Sequence, residues 1–495
     1  MDVTALALRA TAARPRVLLV TLPGSTAARL TAERALRLRD WPSAATPAQT
    51  DLLLVAGPDR PDLHAAVSRL WQDVPAPRAR VRAVTADDVE DALEAGRTRL
   101  RTRAEAQGDI HLGADDDPPQ RDSGAGAHHD EEHGDTGGGH HEHDDNGSGH
   151  GHEKATPHGE EHPRPQEEEP GDSDLGHGHG HSHGSDHSHG SGRHAEPSDR
   201  DGKHDHDGNR DQHDHGGHSD HGGHGGHGME MPGGLPMAGQ AEDRDGLTLD
   251  QLHLSLGPLL ADWPAGLTVR VTLQGDVVQT AEVERLPRPG AAETEAFWVE
   301  PWTRAAAGEP VSVGEAARRR AAAHLDSLAR LLSVAGWPAE AVVARRLRDD
   351  LLDGAPAIAV APRLRRFARR VGRSRTLAWL TRGIGPVSGE EARAAGVSGP
   401  AARAGGDVTD RYRQWLADVQ GDVARMEEVS PLRPAEEDSP RGRWSDDEPP
   451  SAALIGLLPH LLAGAELAAA RLIVASFDPD VDELSLSRGE VGTRG

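Results

Sequence analysis

The sequence predicts an α/β segment at its amino end, built on a small doubly wound parallel sheet. It predicts an α+β segment with a central helical bundle at its carboxyl end, and a long disordered His-rich linker between the two. Three observations carry this. Short continuous apolar runs alternate with amphipathic stretches over residues 16–99. A region almost free of aliphatic side chains follows, and beyond it an alternating hairpin precedes a series of helical patterns. The expected domains are 1–105, 106–245 and 246–495.

Residues 17–21 (VLLVT) and 51–56 (DLLLVA) are apolar runs closed by Pro23-Gly24 and Gly57-Pro58, as expected of buried parallel strands. Residues 27–39 and 62–72 carry apolar side chains at three-to-four spacing, and 81–84 forms a third strand before a helix over about 86–103. Alternation of strand and helix is the pattern of a doubly wound sheet. Over about 104–245 the chain is Gly, His, Asp, Glu, Ser and Pro, too poor in apolar surface to offset about 1 to 2 kcal/mol of backbone entropy per residue, so disorder is expected. Residues 267–273 and 277–283 alternate about Gly275-Asp276, a hairpin signal. Helices are expected over 313–335, 339–352, 363–381, 409–428 and 453–470, and 472–477 (LIVASF) is expected to close the fold as a strand.

The net charge is −27, and it is unevenly placed. Residues 111–227 hold 26 of the 30 histidines, with 28 acidic residues against 7 basic ones, so this stretch carries −21 of the total. Two nearly neutral segments joined by an acidic tether replace the picture of an acidic globule. Cysteine is absent, which excludes disulfides, thiolate-bound zinc, a cysteine nucleophile and a cysteine-held iron–sulfur cluster. The first residues lack a charged region followed by a long apolar stretch, so the expected compartment is the cytoplasm. The apolar segment 452–477 is interrupted by Pro459, His460, Glu466 and Arg471 and reads as buried structure, not a membrane span. Lysine occurs only at Lys154 and Lys203 against 52 arginines, a bias of coding and not of physics.

The candidate metal ligands are His177, His179, His181, His183, His187 and His189, then His213, His215, His218, His221, His224 and His227. They stand two to four residues apart among glycines and carboxylates. Neutral imidazole suits nickel, zinc and copper, and surrounding negative charge concentrates cations. At three or four histidines per ion the tract would take roughly six to eight ions, weakly held. The alternative is a solvating linker. Met229, Met231 and Met237 add thioethers that favour copper(I), against the plainer reading of apolar re-entry into a fold.

Residues 362–375 (PRLRRFARRVGRSR) place seven arginines on an expected helix. This is either a dock for anionic lipid headgroups, an acidic partner or the chain's own tether, or a solvated face balanced by Asp349, Asp350 and Asp353. Nucleic acid is disfavoured, because no binding motif accompanies the run. Pro23-Gly24-Ser25-Thr26 reads as a helix cap before an anion site. Asp478, Asp480, Asp482 and Glu483 form an acidic corner without the glycine and spacing of a calcium loop. No set of nucleophile, base and orienter stands out.

Two stretches resemble adjacent subunits of one machine. Thr46-Pro-Ala-Gln-Thr-Asp-Leu-Leu-Leu-Val-Ala-Gly57, with Ala65-Ala-Val-Ser-Arg-Leu-Trp71 and Val74-Pro-Ala-Pro-Arg78, resembles the B subunit of bacterial NADH:quinone oxidoreductase (complex I), a relative of the hydrogenase small subunit. Toward the other end, Leu256-Gly-Pro258 with its hairpin resembles the D subunit, a relative of the hydrogenase large subunit. The same holds for Gly383-Ile-Gly-Pro-Val-Ser-Gly-Glu-Glu-Ala392, Gly396-Val-Ser-Gly-Pro400, Arg403-Ala-Gly-Gly406 with Asp410-Arg411, and the closing run from Gly464 to Glu483.

The resemblance implies a redox fold whose chemistry is gone. Loops after Thr21 and Val84 have no thiols for the B-subunit cluster, so no iron–sulfur cluster is expected. Asp480 and Glu483 stand where hydrogenases use metal-binding thiolates, and hard carboxylates replace them poorly. The quinone-headgroup histidine is missing from Gly257-Pro-Leu-Leu-Ala-Asp-Trp-Pro-Ala-Gly266, and Tyr412 does not match the quinone tyrosine. The expected role is therefore a noncatalytic accessory or assembly component of a complex I-like or hydrogenase-like respiratory oxidoreductase. Its partners would be that oxidoreductase's subunits and divalent metal ions, not nucleic acid, with peripheral membrane association through the complex. Nickel or zinc storage or delivery through the tract is the alternative, and residual quinone binding between the folded segments a third reading.

Overall fold

The computed structural model describes residues 13–112, 239–242, 248–286, 296–445 and 448–485. In the amino-terminal segment, β1 (Val17–Thr21), β2 (Leu52–Ala56) and β3 (Ala79–Ala83) form a three-stranded parallel sheet in that order. Alternate side chains explain the continuous apolar runs, because both faces are covered. Val17, Leu52, Leu54, Ala79 and Val81 pack against α1 (Thr26–Leu38) and α3 (Val89–Leu112), while Leu18, Val20, Leu53 and Val55 pack against Val67 of α2 (His64–Gln72). Gly96 lets α3 approach the sheet, for a Cβ there would stand 2.6 Å from Leu52.

The carboxyl-terminal segment opens with an antiparallel sheet of β4 (Gly239–Glu242), β5 (Thr248–Leu256), β6 (Leu267–Gln274) and β7 (Val277–Arg285). Leu267, Val269, Val271 and Leu273 alternate inward, as the hairpin pattern required. Only Leu254 and Leu256 of β5 pack against the core, and the rest of the strand is largely exposed. After α4 (Glu300–Ala306), the bundle gathers α5 (Val313–Val334), α6 (Pro338–Leu352), α7 (Ala357–Gly372) and α11 (Val408–Arg425). Short helices α8 (Arg375–Thr381), α9 (Gly389–Ala394) and α10 (Gly399–Ala404) lie between α7 and α11. A two-stranded ribbon, β8 (Asp438–Ser439) and β9 (Gly442–Arg443), precedes α12 (Pro450–Leu462) and α13 (Leu467–Phe477).

Three expectations are corrected. Residues 472–477 are the end of helix α13, not a strand. Leu472, Ile473, Val474, Ala475, Ser476 and Phe477 are all buried, and a helix enclosed on every side shows no amphipathic period. The helix expected over 453–470 is broken between Leu462 and Leu467, where Gly464 turns and residues 464–467 exchange backbone hydrogen bonds with Asp276 and Val278. The helix expected over 363–381 begins earlier, at Ala357, and ends at Gly372, where Ser374 caps a separate α8 by accepting from the Leu377 amide.

The two segments, far apart in sequence, belong to one compact unit. Leu30 of α1 joins the core of α5, α6, α7 and α11. Beside it Arg29 makes a bidentate pair with Asp326 of α5, at 3.1 and 2.8 Å.

Candidate functional site

Helix α5 supplies the stem of the site. Ser312 caps it by accepting from the Glu315 amide, and its middle turns bury His324, Asp326 and Ser327 together with apolar side chains. A buried polar side chain is normally paired: Ser327 bonds Ala323 and Asp478, and His324 Nε2 bonds the Pro440 carbonyl at 3.0 Å while its Nδ1 has no hydrogen-bond partner among the described residues. Asp326 accepts from Arg29, Arg330 and Arg348, while Glu33 of α1 accepts from Arg29 and Arg348. Burial works against ionisation of Glu33, but the cations Arg29, Arg348 and Arg345 outweigh it and hold the carboxyl at about 2. Asp326 is likewise held well below the ordinary carboxylate range by Arg29, Arg330 and Arg348 despite burial.

The charge chain continues to the acidic corner. Asp478, in the left-handed conformation that ends α13, accepts from Arg330 at 2.8 Å, Arg441 at 2.7 Å and Ser327 Oγ at 2.6 Å. Asp482 reaches the amino-terminal segment, accepting from the Gly24 amide at 2.7 Å and Thr26 Oγ1 at 3.3 Å. The Pro23–Thr26 turn thus does receive an anion, the chain's own. Ser25 is no cap by its side chain, for its hydroxyl donates to Leu22 and Ala56 carbonyls.

Asp480 and Glu483 are different. The Ser451 hydroxyl donates to Glu483 Oε2 at 2.7 Å and accepts from the Asp480 amide at 2.9 Å. Asp480 Oδ2 and Glu483 Oε1 are buried without a hydrogen-bond partner, as is Arg441 Nη1. Burial, reinforced by the charge of Asp482, pushes Asp480 up to about 7. Burial and Asp480 push Glu483 up to about 8. The four carboxylates of the corner therefore divide into two, Asp478 and Asp482, whose oxygens accept from cationic, hydroxyl or amide donors, and two, Asp480 and Glu483, that burial raises well above the ordinary carboxylate range.

Asp480 and Asp482 border a cleft of about 530 Å³ between α1, the loop 258–265, α5 and the turn 479–482, while Glu483 is buried away from it. Trp41, Trp263, Trp298, Leu259 and Leu260 supply apolar wall; Arg330, Arg441 and Asp480 supply polar groups. The loop lacking the quinone histidine is thus part of this wall. Its Asp262 accepts from Arg345 and Ser333, and the Trp263 indole donates to the Leu267 carbonyl at 2.8 Å. Tyr412 is fully buried in the bundle core and does not line the cleft.

A four-iron cluster does not fit the residues present. The loops after β1 and β3 have no thiol, the Ser25 hydroxyl is engaged by the Leu22 and Ala56 carbonyls, and that of Thr85 by Asp88. Among the described residues no group of three histidine, aspartate or glutamate side chains is arranged to hold a metal ion. The twelve histidines singled out between positions 177 and 227, and the methionines at 229, 231 and 237, lie outside the described residues.

The motif strings of the carboxyl-terminal segment converge at Arg411. Its guanidinium donates to the Gly385 and Gly406 carbonyls, both at 2.9 Å, and to Ser476 Oγ at 2.9 Å, and stacks 4.3 Å from the Phe477 ring centre. Burial depresses it to about 10. Gly385 has no room for a side chain, since a Cβ would meet Ile473 at 2.6 Å. These residues hold the fold together behind the cleft. Sequence reading missed Ser451, Arg441, Arg330 and Asp326, which carry no motif and are brought together only by packing.

No family model matches this chain, and no curated protein matches it. Among solved structures it is similar to a chain of the membrane-bound sulfane sulfur reductase, an archaeal respiratory membrane complex. Identity is 15%, over 47% of this chain and 98% of that one, with a TM-score of 0.32. Among the described residues no helix is long and apolar enough to cross a membrane.

Proposed function

We propose that this protein is a noncatalytic accessory or assembly component of a complex I-like or hydrogenase-like respiratory oxidoreductase, with a metal-binding His-rich tether. One observation carries the reading. The segment that resembles the B subunit and the segment that resembles the D subunit pack through a buried charge network running Glu33–Arg29–Asp326–Arg330–Asp478–Arg441. A pair that would otherwise be two subunits is thus a single body, while the loops that would carry electrons have no thiol ligands. Asp480, on the wall of a partly apolar cleft, is raised by burial to about 7, which leaves proton exchange at that carboxyl as the chemistry the site retains.

Gentle purification of the untagged protein from its own cells, with identification of bound chains, tests this. Subunits of a quinone- or hydrogen-linked oxidoreductase are expected in the same particle. Recovery as a lone species from cells that contain such a complex overturns the reading.

Metal holding by the twelve histidines between positions 177 and 227 rests on their composition and spacing. Deleting residues 128–227 is expected to lower cellular nickel or zinc, or the activity of enzymes that depend on them. Unchanged metal content and activity sink it.

A further inference from the structure

We propose that the arginine-rich corner formed by α7 and α8 is a docking surface for the anionic face of a phospholipid membrane. Residues 357–382 contain eight arginines and no aspartate or glutamate. Helix α7 turns Val360, Leu364, Phe367 and Val371 into the core, so its arginines are left outward. The carboxylates that would balance the run are mostly engaged elsewhere. Asp349 pairs with Arg348 and Arg37, and Asp353 pairs with Arg34. Among the described residues only Arg363, on Asp350, and Arg370, on Glu340, are matched by a carboxylate. Arg365, Arg366, Arg369, Arg373, Arg375 and Arg382 have no carboxylate partner among the described residues.

At the junction of the two helices the charges surround an aromatic ring. Arg373, Arg375, Arg382 and Arg413 line an open groove with Trp379, whose side chain is 78% exposed, and Leu380 beside it is 39% exposed. Guanidinium groups bind phosphate oxygens bidentately, and an indole partitions into the headgroup region of a bilayer. The combination of arginine with exposed tryptophan and leucine is what an interfacial surface presents. Residues 111–227 of the same chain match the charge, but they have almost no apolar side chains and would leave Trp379 and Leu380 in water. Nucleic acid would engage the arginines and the ring and gain nothing from the leucine. The bilayer surface satisfies both the charge and the apolar groups. It also gives the chain a direct membrane contact, independent of any partner complex.

The full-length protein is floated with phosphatidylcholine vesicles, with or without phosphatidylglycerol, at low and high salt. Binding is expected only with phosphatidylglycerol and is expected to weaken with salt. Each arginine neutralised should lower partitioning about fivefold. The Arg373→Gln, Arg375→Gln, Arg382→Gln triple variant should thus bind on the order of a hundredfold more weakly. Trp379→Ala should weaken binding without changing its salt dependence, and Arg433→Gln, an exposed charge elsewhere, should not matter. All of these positions are exposed, and circular dichroism verifies that the variants fold. Equal partitioning of the triple variant and the parent overturns the proposal. So does preference for duplex DNA over anionic vesicles. Absence of vesicle binding, with expansion of the triple variant at low salt, overturns it in favour of the chain's own acidic residues.

Discussion

Asp482 sits on the amino end of helix α1, accepting a hydrogen bond of 2.7 Å from the amide of Gly24 across 458 positions of sequence. A carboxylate there meets the positive end of the helix dipole and holds the turn that leads into it, through the Gly24 amide and the Thr26 hydroxyl. Asp482→Ala should cost about 1 to 2 kcal/mol of stability, as loss of a helix cap does. Urea unfolding checks this. The same substitution should lower the pKa of Asp480, which Asp482 helps to raise.

The network around Asp326 should be far more sensitive to single changes. Arg348 is fully buried, and Asp326 is 1% exposed. Asp326→Ala leaves Arg29, Arg330 and Arg348 without their common partner and should cost about 3 to 5 kcal/mol. Joint replacement of Arg29 and Asp326 by apolar residues of similar size should cost much less. A double-mutant cycle measured by denaturant unfolding distinguishes the two.

Glu483 and Asp480 make the fold sensitive to alkali. In the unfolded chain each ionises near its ordinary value, whereas in the folded chain they hold protons to about 8 and about 7. Between these limits the folded state binds more protons, so stability falls as pH rises from about 4.5 to 8 and levels off above. Glu483→Gln should flatten that decline. An unchanged slope in the variant would show that the carboxyl is ionised in the folded state.

On the acid side the signs reverse. Burial depresses His324 to about 4, so its contribution is complete above the ordinary histidine value near 6.5 and is lost as pH falls through 4. Glu33, held at about 2 by its arginines, contributes above 4.5 and fails as pH drops toward 2. His324→Gln should remove the first step and leave the second. Melting temperature measured from pH 7 to pH 2 separates them.

Arg411→Lys should be as damaging as a large deletion. A lysine cannot bond Gly385, Gly406 and Ser476 at once, nor stack on Phe477 in the same way. Loss of two charge-assisted hydrogen bonds predicts about 3 to 5 kcal/mol of destabilisation. Thermal unfolding of the variant beside the parent measures it.

Local pattern was enough for the parallel strands and the hairpin. Apolar runs such as LLLVA and the alternation of LTVRVTL record which faces are covered, and the two-residue turn at Gly275-Asp276 leaves little choice of register. Charge segregation and the absence of thiols were equally plain, because composition needs no fold. Pattern failed where burial was complete or nearly absent. LIVASF, enclosed on all sides, shows no period, and in β5 the alternation of Leu252, Leu254 and Leu256 is confined to its second half, with Asp250 and Gln251 separating it from Leu249. The acidic corner was legible as four carboxylates, but not that Asp478 and Asp482 would be paired while Asp480 and Glu483 keep their protons. That division depends on Arg330, Arg441, Gly24 and Ser451 arriving from separate elements. Ionisation inside a protein is decided by which charges and how little water surround a group, and only the packed chain brings those neighbours within a few ångströms.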